Sequence, residues 1–292
     1  MRENRPVCAV IVTYNIGTSI RECVDSVRDQ VDEIIFVDNA SDSVTQVELE
    51  RLSHEPSTTV IFNSQNNGIA TAINQGVKIG LSMGYDWFLT LDHDSQGTAG
   101  MVNRLLQTWN TLEAQGFNVG IVAANPFDRN SQKYYNNYRP EHRSAAIEVP
   151  TVLSSGSLIN KKAFQVAGFF NEQLFLYYVD DDFCLRLRHK GLRVYLCPSA
   201  VLLHREGNKA WRRFLGKNVL YDNYGCEARY YIARNAVYIL RELWKCGERR
   251  CFWQVASRLV TDTAKVLLFD EKPFQKFPFI LKGIRDGVLG KY

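Results

Sequence analysis

YDWFLTLDHDS, residues 85–95, is an apolar run (Trp87, Phe88, Leu89, Leu91) that stops at two carboxylates one residue apart, Asp92 and Asp94. A short apolar run bounded by polar residues reads as a buried strand, and in open α/β sheets ligands collect beyond the carboxyl ends of strands. The two acids are therefore expected to overhang a cleft. With His93 between them on a bend, two aspartates can aim hard oxygen ligands at one divalent cation, and Mg²⁺ is commonly held by one or two carboxylates plus substrate phosphates. A metal-bridged diphosphate is the ligand this pattern predicts. The competing reading is a helix cap at Asp92 and a solvated turn residue at Asp94.

Upstream, the same kind of unit recurs. A strand over 7–14 (VCAVIVTY) ends at Asn15 and Gly17, and a helix from Ser19 shows a capping box with Glu22 and apolar residues Ile20, Cys23, Val24, Val27 and Val31 at helical spacing. A second strand, 33–37, ends in Asp38-Asn39-Ala40-Ser41-Asp42. A weaker helix over 44–52 and a third strand over 58–62 follow, then NNGIATAINQG (66–76), a small-residue helix start that continues to Met83. Strands alternating with helices predict a parallel sheet with polar strand ends on one edge: Thr13-Tyr14, Asp38, and Asp92 with Asp94. The glycines and alanines of 66–76 suit either a ligand or close packing on the sheet.

Downstream, 101–113 reads as an amphipathic helix and 119–123 as a strand. Residues 126–148 are polar and tyrosine-rich, which predicts a surface hairpin or a mobile loop. TVLSSGSLIN (151–160) reads as a strand interrupted at Ser154-Ser155-Gly156, where backbone must approach something closely. A second acidic cluster, Asp180-Asp181-Asp182, opens a helix that runs to Lys190 and stops at Gly191. Acids there suit the helix dipole, yet three beside aromatics are more than capping requires. A strand over 192–197 leads through Pro198 to His204, which is either a packed residue at a strand end or a ligand.

Composition bounds the class. The 292 residues are 46% apolar, enough for a full core as one large domain or one plus an appendage. Seven cysteines, scattered and without CxxC spacing, predict reduced, packed thiols; Cys246 and Cys251 are the only close pair, too weakly spaced for a metal. No basic segment or cleavage site precedes the strand at Val7, and no run approaches the roughly 20 apolar residues of a membrane span, so a cytoplasmic protein is expected. The net charge of +4 is uneven: 1–204 hold 17 Lys/Arg against 22 Asp/Glu, and 205–292 hold 18 against 9. The basic excess belongs to the tail.

VTYN (12–15), VDNAS (37–41), NNGIATAINQG (66–76), LDHDS (91–95), SSGSLIN (154–160), FLYYVDDDFCLR (175–186) and His204 together resemble the family 2 glycosyltransferases of GT-A fold, and within them the bacterial rhamnosyltransferase branch that builds O-antigen and other surface polysaccharides. The tail resembles that branch in RYYIARN (229–235) and GIRDG (283–287). The resemblance implies an α/β fold, a mostly parallel sheet flanked by helices, with a catalytic domain over 1–205 and a basic, aromatic-rich helical region over 206–292. It implies Asp94 on a divalent cation (Mg²⁺ or Mn²⁺), Asp92 beside the ribose or the metal, and His204 completing the metal shell. Thr13, Tyr14, Asn15, Asp38, Asn67, Gly68, Asn74, Asp92 and His93 would line the nucleotide-sugar site. Asp180 would be the catalytic base, although Val179 stands where many relatives have an acid and Asp181 and Asp182 offer rival carboxylates. The implied reaction is inverting transfer of L-rhamnose from dTDP-L-rhamnose to a lipid-linked glycan at the cytoplasmic face of the inner membrane.

Rivals remain. A UDP-hexose donor would keep fold and mechanism, and a non-catalytic nucleotide-sugar-binding scaffold would be expected to have lost one of the two acidic clusters. A haloacid-type phosphohydrolase also carries DxD after a strand, but that strand usually comes near the chain start. From Trp211 onward, helical periodicity with many aromatics and bases predicts interfacial helices on anionic lipid, or packing faces. Nucleic acid is not expected, for want of a stacking platform or groove helix.

Overall fold

The structure, a computed structural model, describes residues 5–135, 138, 146–205, 207, 209–214 and 216–292. Part of the tyrosine-rich stretch 126–148 therefore lies outside the described residues. The chain divides into two compact units, Met1–Glu172 with Phe183–Arg205, and Gln173–Asp182 with Glu206–Tyr292.

In the first unit the elements run β1 (Val7–Thr13), α1 (Ile20–Val27), β2 (Glu33–Asp38), α2 (Ser43–Ser53), β3 (Thr58–Phe62), α3 (Ile69–Ser82), β4 (Trp87–Asp92), β5 (Gln96–Gly97), α4 (Met101–Ala114), β6 (Val119–Asp128), β7 (Lys133–Tyr134), β8 (Ile147–Glu148), β9 (Ser157–Asn160) and α5 (Lys161–Ala167). They continue through α6 (Val179–His189), whose residues from Phe183 belong here, to β10 (Arg193–His204). The sheet order is β3-β2-β1-β4-β9-β6-β10-β5, with β7 on β6 and β8 on β10. β1, β2, β3 and β4 are mutually parallel, as are β6 and β10; β9 enters antiparallel between β4 and β6. A mostly parallel α/β sheet with flanking helices is what the sequence pattern predicts.

Alternation along β1 explains the two faces. Val7, Ala9 and Ile11 join α1, α2 and α4 in one cluster, whereas Cys8 and Val10 face α3. On that second face α3 lies so close that a Cβ on Gly76 would run into Val10 Cγ1 and meet Val37 Cγ2 at 3.3 Å. The small residues of α3 are thus explained by helix-on-sheet packing. Valine is stiff at χ1, so Val10 cannot swing aside. Alanine gains roughly 1 kcal/mol of helix propensity, against about 1–3 kcal/mol for overpacking. Gly76→Ala is expected to lower the thermal midpoint, read by circular dichroism.

Local structure departs from the sequence reading at four places. Ser19 closes a 3₁₀ turn, Gly17–Ser19, and its side chain makes no cap, because the chain has already turned at Gly17 (φ +61°). Only Ser157–Asn160 of the 151–160 stretch is strand, since Gly156 at φ +80° bends the backbone before it. The strands around Pro198 are one, β10, with a bulge between Cys197 and Val201. The fourth departure is in the second unit. There β11 (Lys209–Phe214) and β12 (Lys217–Asp222) form an antiparallel hairpin where helix was expected from Trp211, and helix starts only at α7 (Cys226–Lys245).

Two more helices, α8 (Arg249–Phe269) and α9 (Pro273–Val288), complete that unit around Ala233, Val266 and Ile280. Gly283 and Gly287 of α9 lie against the backbone of α7 at Tyr230 and Arg234, where any Cβ would collide with the carbonyl oxygens. Their i, i+4 spacing puts both on one helix face, so the GIRDG stretch is a close-packing seam. Segment 173–182 belongs to this unit because Arg234 and Asn235 bind its carbonyls.

Candidate active site

The strand register levels the polar ends. Thr13 pairs with Asp38, and Val12 with Asp92. The Thr13 hydroxyl donates to Asp38 Oδ1 at 2.9 Å, and Asp38 also accepts from the Ser41 N–H and hydroxyl. The next loop is tied across: the Asn15 N–H donates to Ser41 Oγ at 2.9 Å, and Asn15 Oδ1 accepts from the Asp42 N–H at 2.8 Å. Thr13 and Asp38 are fully buried, whereas Tyr14 is 46% exposed at the rim.

Gly68 caps α3 at φ +83°, a conformation few side chains tolerate, and its carbonyl accepts from Asn39 Nδ2 at 3.2 Å. Asn67 is half-buried, and its Oδ1 accepts from Gln65 Nε2. Asn74 lies within α3. Fully buried, it exchanges two hydrogen bonds with the Phe170 backbone (2.9 and 3.0 Å) and donates to Glu172 Oε1. Its amide clamps the 170–172 segment to α3.

The organising acids do converge with the distant histidine. Asp92, Asp94 and His204 each offer one ligand atom, all within 4.8 Å of one another. Burial raises the Asp92 carboxyl, opposed by His204 and reinforced by Asp94. Two carboxylates and an imidazole suit a divalent ion that accepts hard oxygen and nitrogen donors, so the residues fit a metal. His93 points differently: its Nδ1 lies 3.2 Å from the Val12 carbonyl oxygen, fastening the bend to β1.

Two serines missing from the sequence-derived site hold it together. Ser95 Oγ lies 2.8 Å from both His204 Nδ1 and Ser155 Oγ, while Ser155 Oγ accepts the Asp92 N–H at 3.0 Å. Both serines are buried. The close approach expected at Ser154-Ser155-Gly156 is this contact: the Thr90 hydroxyl donates to the Ser154 carbonyl, and a Cβ on Gly156 would meet Leu202 at 2.9 Å. Partners of this kind orient ligand rings, and their loss costs about 10–100-fold in metal affinity. Ser95→Ala is expected to weaken Mn²⁺ binding by that factor in calorimetry while leaving the fold intact.

The first turn of α6 carries the second acidic cluster. Asp182 is buried and accepts the Tyr238 hydroxyl at 2.9 Å; Asp180 Oδ1 accepts the Asp181 N–H at 3.2 Å. Asp180 and Asp181 are half-buried, and Asp181 shares its surroundings with Tyr178 and Arg258. Burial pushes the Tyr178 phenol up to about 12, so it stays protonated at neutral pH.

The sequence model of Glycosyl transferase family 2 matches residues 8–168, more than half of the chain. The chain belongs to that family. Among curated relatives, the dTDP-rhamnosyl transferase RfbF of Shigella flexneri is 27% identical over 251 residues, 82% of this chain and 81% of that protein. Among solved structures, S. aureus TarS 1–349 in complex with UDP-GlcNAc superposes with a TM-score of 0.65 at 14% identity, covering 98% of this chain and 82% of that one. The mannosyltransferase PcManGT from Pyrobaculum calidifontis, in complex with GDP-Man and Mn²⁺, gives 0.57 at 16% identity, covering 99% and 89%. The fold is GT-A, and the protein is a glycosyltransferase.

Proposed function

We propose that this glycosyltransferase moves L-rhamnose from dTDP-L-rhamnose to a lipid-linked glycan with inversion, in the assembly of surface polysaccharide such as O-antigen. The observation that carries the reading is the meeting of Asp92, Asp94 and His204 at the carboxyl end of β4. The choice of donor is supported by the similarity to RfbF over four fifths of both chains.

In this reading Asp92, Asp94 and His204 hold a divalent cation, with the imidazole favouring Mn²⁺ over Mg²⁺, and Thr13, Tyr14, Asn15, Asp38, Asn67, Gly68 and His93 form or brace the nucleotide-sugar site. A bound cation would neutralise charge on the departing diphosphate. Asp180 takes the proton from the acceptor hydroxyl as that oxygen attacks the anomeric carbon. The new C–O bond forms opposite the breaking bond to the diphosphate, and dTDP leaves. Ser95 and Ser155 keep His204 and the Asp92 backbone in register throughout.

Calorimetric titration of dTDP-L-rhamnose, UDP-glucose and UDP-galactose, each with Mn²⁺ and with EDTA, tests this. Metal-dependent binding of dTDP-L-rhamnose alone is expected. Preference for a UDP-hexose overturns the donor, and silence from all three overturns the nucleotide-sugar reading of the cleft.

The proposed lipid-linked acceptor is consistent with one surface of the second unit. Among the described residues no helix is long and apolar enough to cross a membrane. Along α8, however, Trp253, Val260, Leu267 and Leu268 stand exposed at helical spacing, with Arg249 and Arg250 at the helix start and Phe274 89% exposed just beyond its end. An apolar stripe with flanking bases fits an anionic interface. The protein is expected to co-sediment with anionic vesicles at low ionic strength and to be released by salt. Failure to pellet overturns the membrane contact.

A further inference from the structure

The chain enters α6 through a backbone that side-chain-bearing residues rarely adopt. Phe175, Tyr177 and Tyr178 all have left-handed φ, at 55°, 66° and 60°. Such a conformation brings Cβ against the following carbonyl, which is why glycine normally takes it. Three within four residues, none of them glycine, require an external hold, and left-handed outliers of this kind gather where function needs a fixed geometry.

The hold is visible on α7. Asn235 Nδ2 lies 2.7 Å from the Leu174 carbonyl oxygen, 2.7 Å from that of Leu176 and 2.9 Å from that of Tyr177. Arg234 Nη2 donates to the carbonyls of Gln173 (2.8 Å) and Leu174 (3.2 Å), and its Nε donates to Asn235 Oδ1 at 2.9 Å. Both residues are buried, Asn235 completely. Aromatic contacts fix the outer side: Phe175 stacks on Tyr231 with ring centroids 4.8 Å apart, and Tyr177 meets Tyr224 edge-on at 5.6 Å. Four carbonyls are thus gripped, those of Gln173, Leu174, Leu176 and Tyr177. Asp180 follows Tyr178 by two residues, and the first helical bond, Asp182 N–H to the Tyr178 carbonyl, starts from the last strained position.

We propose that Arg234 and Asn235 are a positioning pair for Asp180, holding the 173–178 segment in its left-handed path so that the carboxylate is presented at one fixed place. The proposal rests on the reading of Asp180 as the base. Neither residue touches the reacting atoms; they act through the backbone that carries Asp180. The RYYIARN stretch, noted in the sequence for resemblance alone, thereby acquires a task.

Three variants test it, with the donor that calorimetry selects: Asn235→Ala, Asn235→Ala combined with Tyr178→Gly, and Asp180→Asn. Small misplacements of a reacting group cost on the order of a hundredfold in rate. Asn235→Ala is expected to lower kcat by about that factor with donor affinity within twofold of the parent, and to speed amide exchange over 173–182. Glycine accepts the left-handed conformation unaided, so Tyr178→Gly in the Asn235→Ala background is expected to restore kcat by about tenfold. A purely structural role for Asn235 would give no such rescue.

Near-parent kcat for folded Asn235→Ala beside an inactive Asp180→Asn overturns the positioning role and leaves the base assignment standing, as does loss of kcat without glycine rescue. Turnover by Asp180→Asn overturns the base assignment itself. If Asn235→Ala does not fold, Arg234→Lys, which keeps the charge and removes the fork on the Gln173 and Leu174 carbonyls, is read by the same criteria.

Discussion

Asp94→Asn is expected to lower kcat/KM by about a thousandfold, roughly 4 kcal/mol of transition-state stabilisation. The change removes one of the two hard oxygen charges that face His204 across less than 4.8 Å, leaving Asp92 and an imidazole as the remaining donors. In the proposed reaction, loss of charge at that point would weaken both the hold on the cation and the neutralisation of the departing diphosphate. The unliganded protein should not suffer. Asp94 raises the Asp92 carboxyl, which burial already lifts, so the two acids oppose each other without a cation. A carboxyl raised in the folded state loses stability as pH climbs through its folded value, and relief of that repulsion favours the variant at neutral pH. Thermal melts should therefore give an unliganded midpoint equal to or above the parent's and no upward shift with Mn²⁺. A variant that keeps both the Mn²⁺ shift and near-normal turnover would remove Asp94 from the metal site.

Asp180→Asn should leave donor binding intact and depress kcat by 10²–10⁴-fold, the range that a positioned proton acceptor contributes. The amide cannot accept the acceptor's proton, yet it retains the oxygen that receives the Asp181 N–H, so the first turn of α6 need not rearrange. Asp182→Asn supplies the contrast. Its carboxylate is buried and bound to Tyr238, so its loss should register first in thermal stability. The base assignment fails if Asp180→Asn turns over at a near-normal rate, or if only the Asp182 variant loses kcat while its melting point holds.

Asp38, Asp92 and Asp94 were legible because each ends an apolar run, and a run of β-prone residues announces a buried strand by itself. The helical spacing of Ile20, Cys23, Val24 and Val27 was equally plain, and all four are buried in α1. Asn74 gave no sign of its hydrogen-bond partners. It shares a small-residue stretch with Asn67 and Gly68, but helical rotation carries it to the Phe170 backbone, a partner 96 residues away. Ser155 lay in a stretch marked for close approach, but its partners were not legible, because the bond between Ser95 and Ser155 spans 60 residues. The hairpin Lys209–Asp222 escaped because its aromatics and bases fit helical and strand spacing alike over so short a stretch.

The sequence by itself determined what local periodicity encodes: the parallel β-α order of the first ninety residues, acids at the strand ends, and a basic, aromatic tail. Tertiary structure decided everything that depends on residues far apart in the chain. It inserted β9 antiparallel between β4 and β6, brought His204 to Asp92 and Asp94 through Ser95, and bent 175–178 into a left-handed path under Arg234 and Asn235. Side-chain period and turn chemistry act over a few residues, whereas a metal shell or a backbone clamp exists only once the strands are in register and the helices have packed.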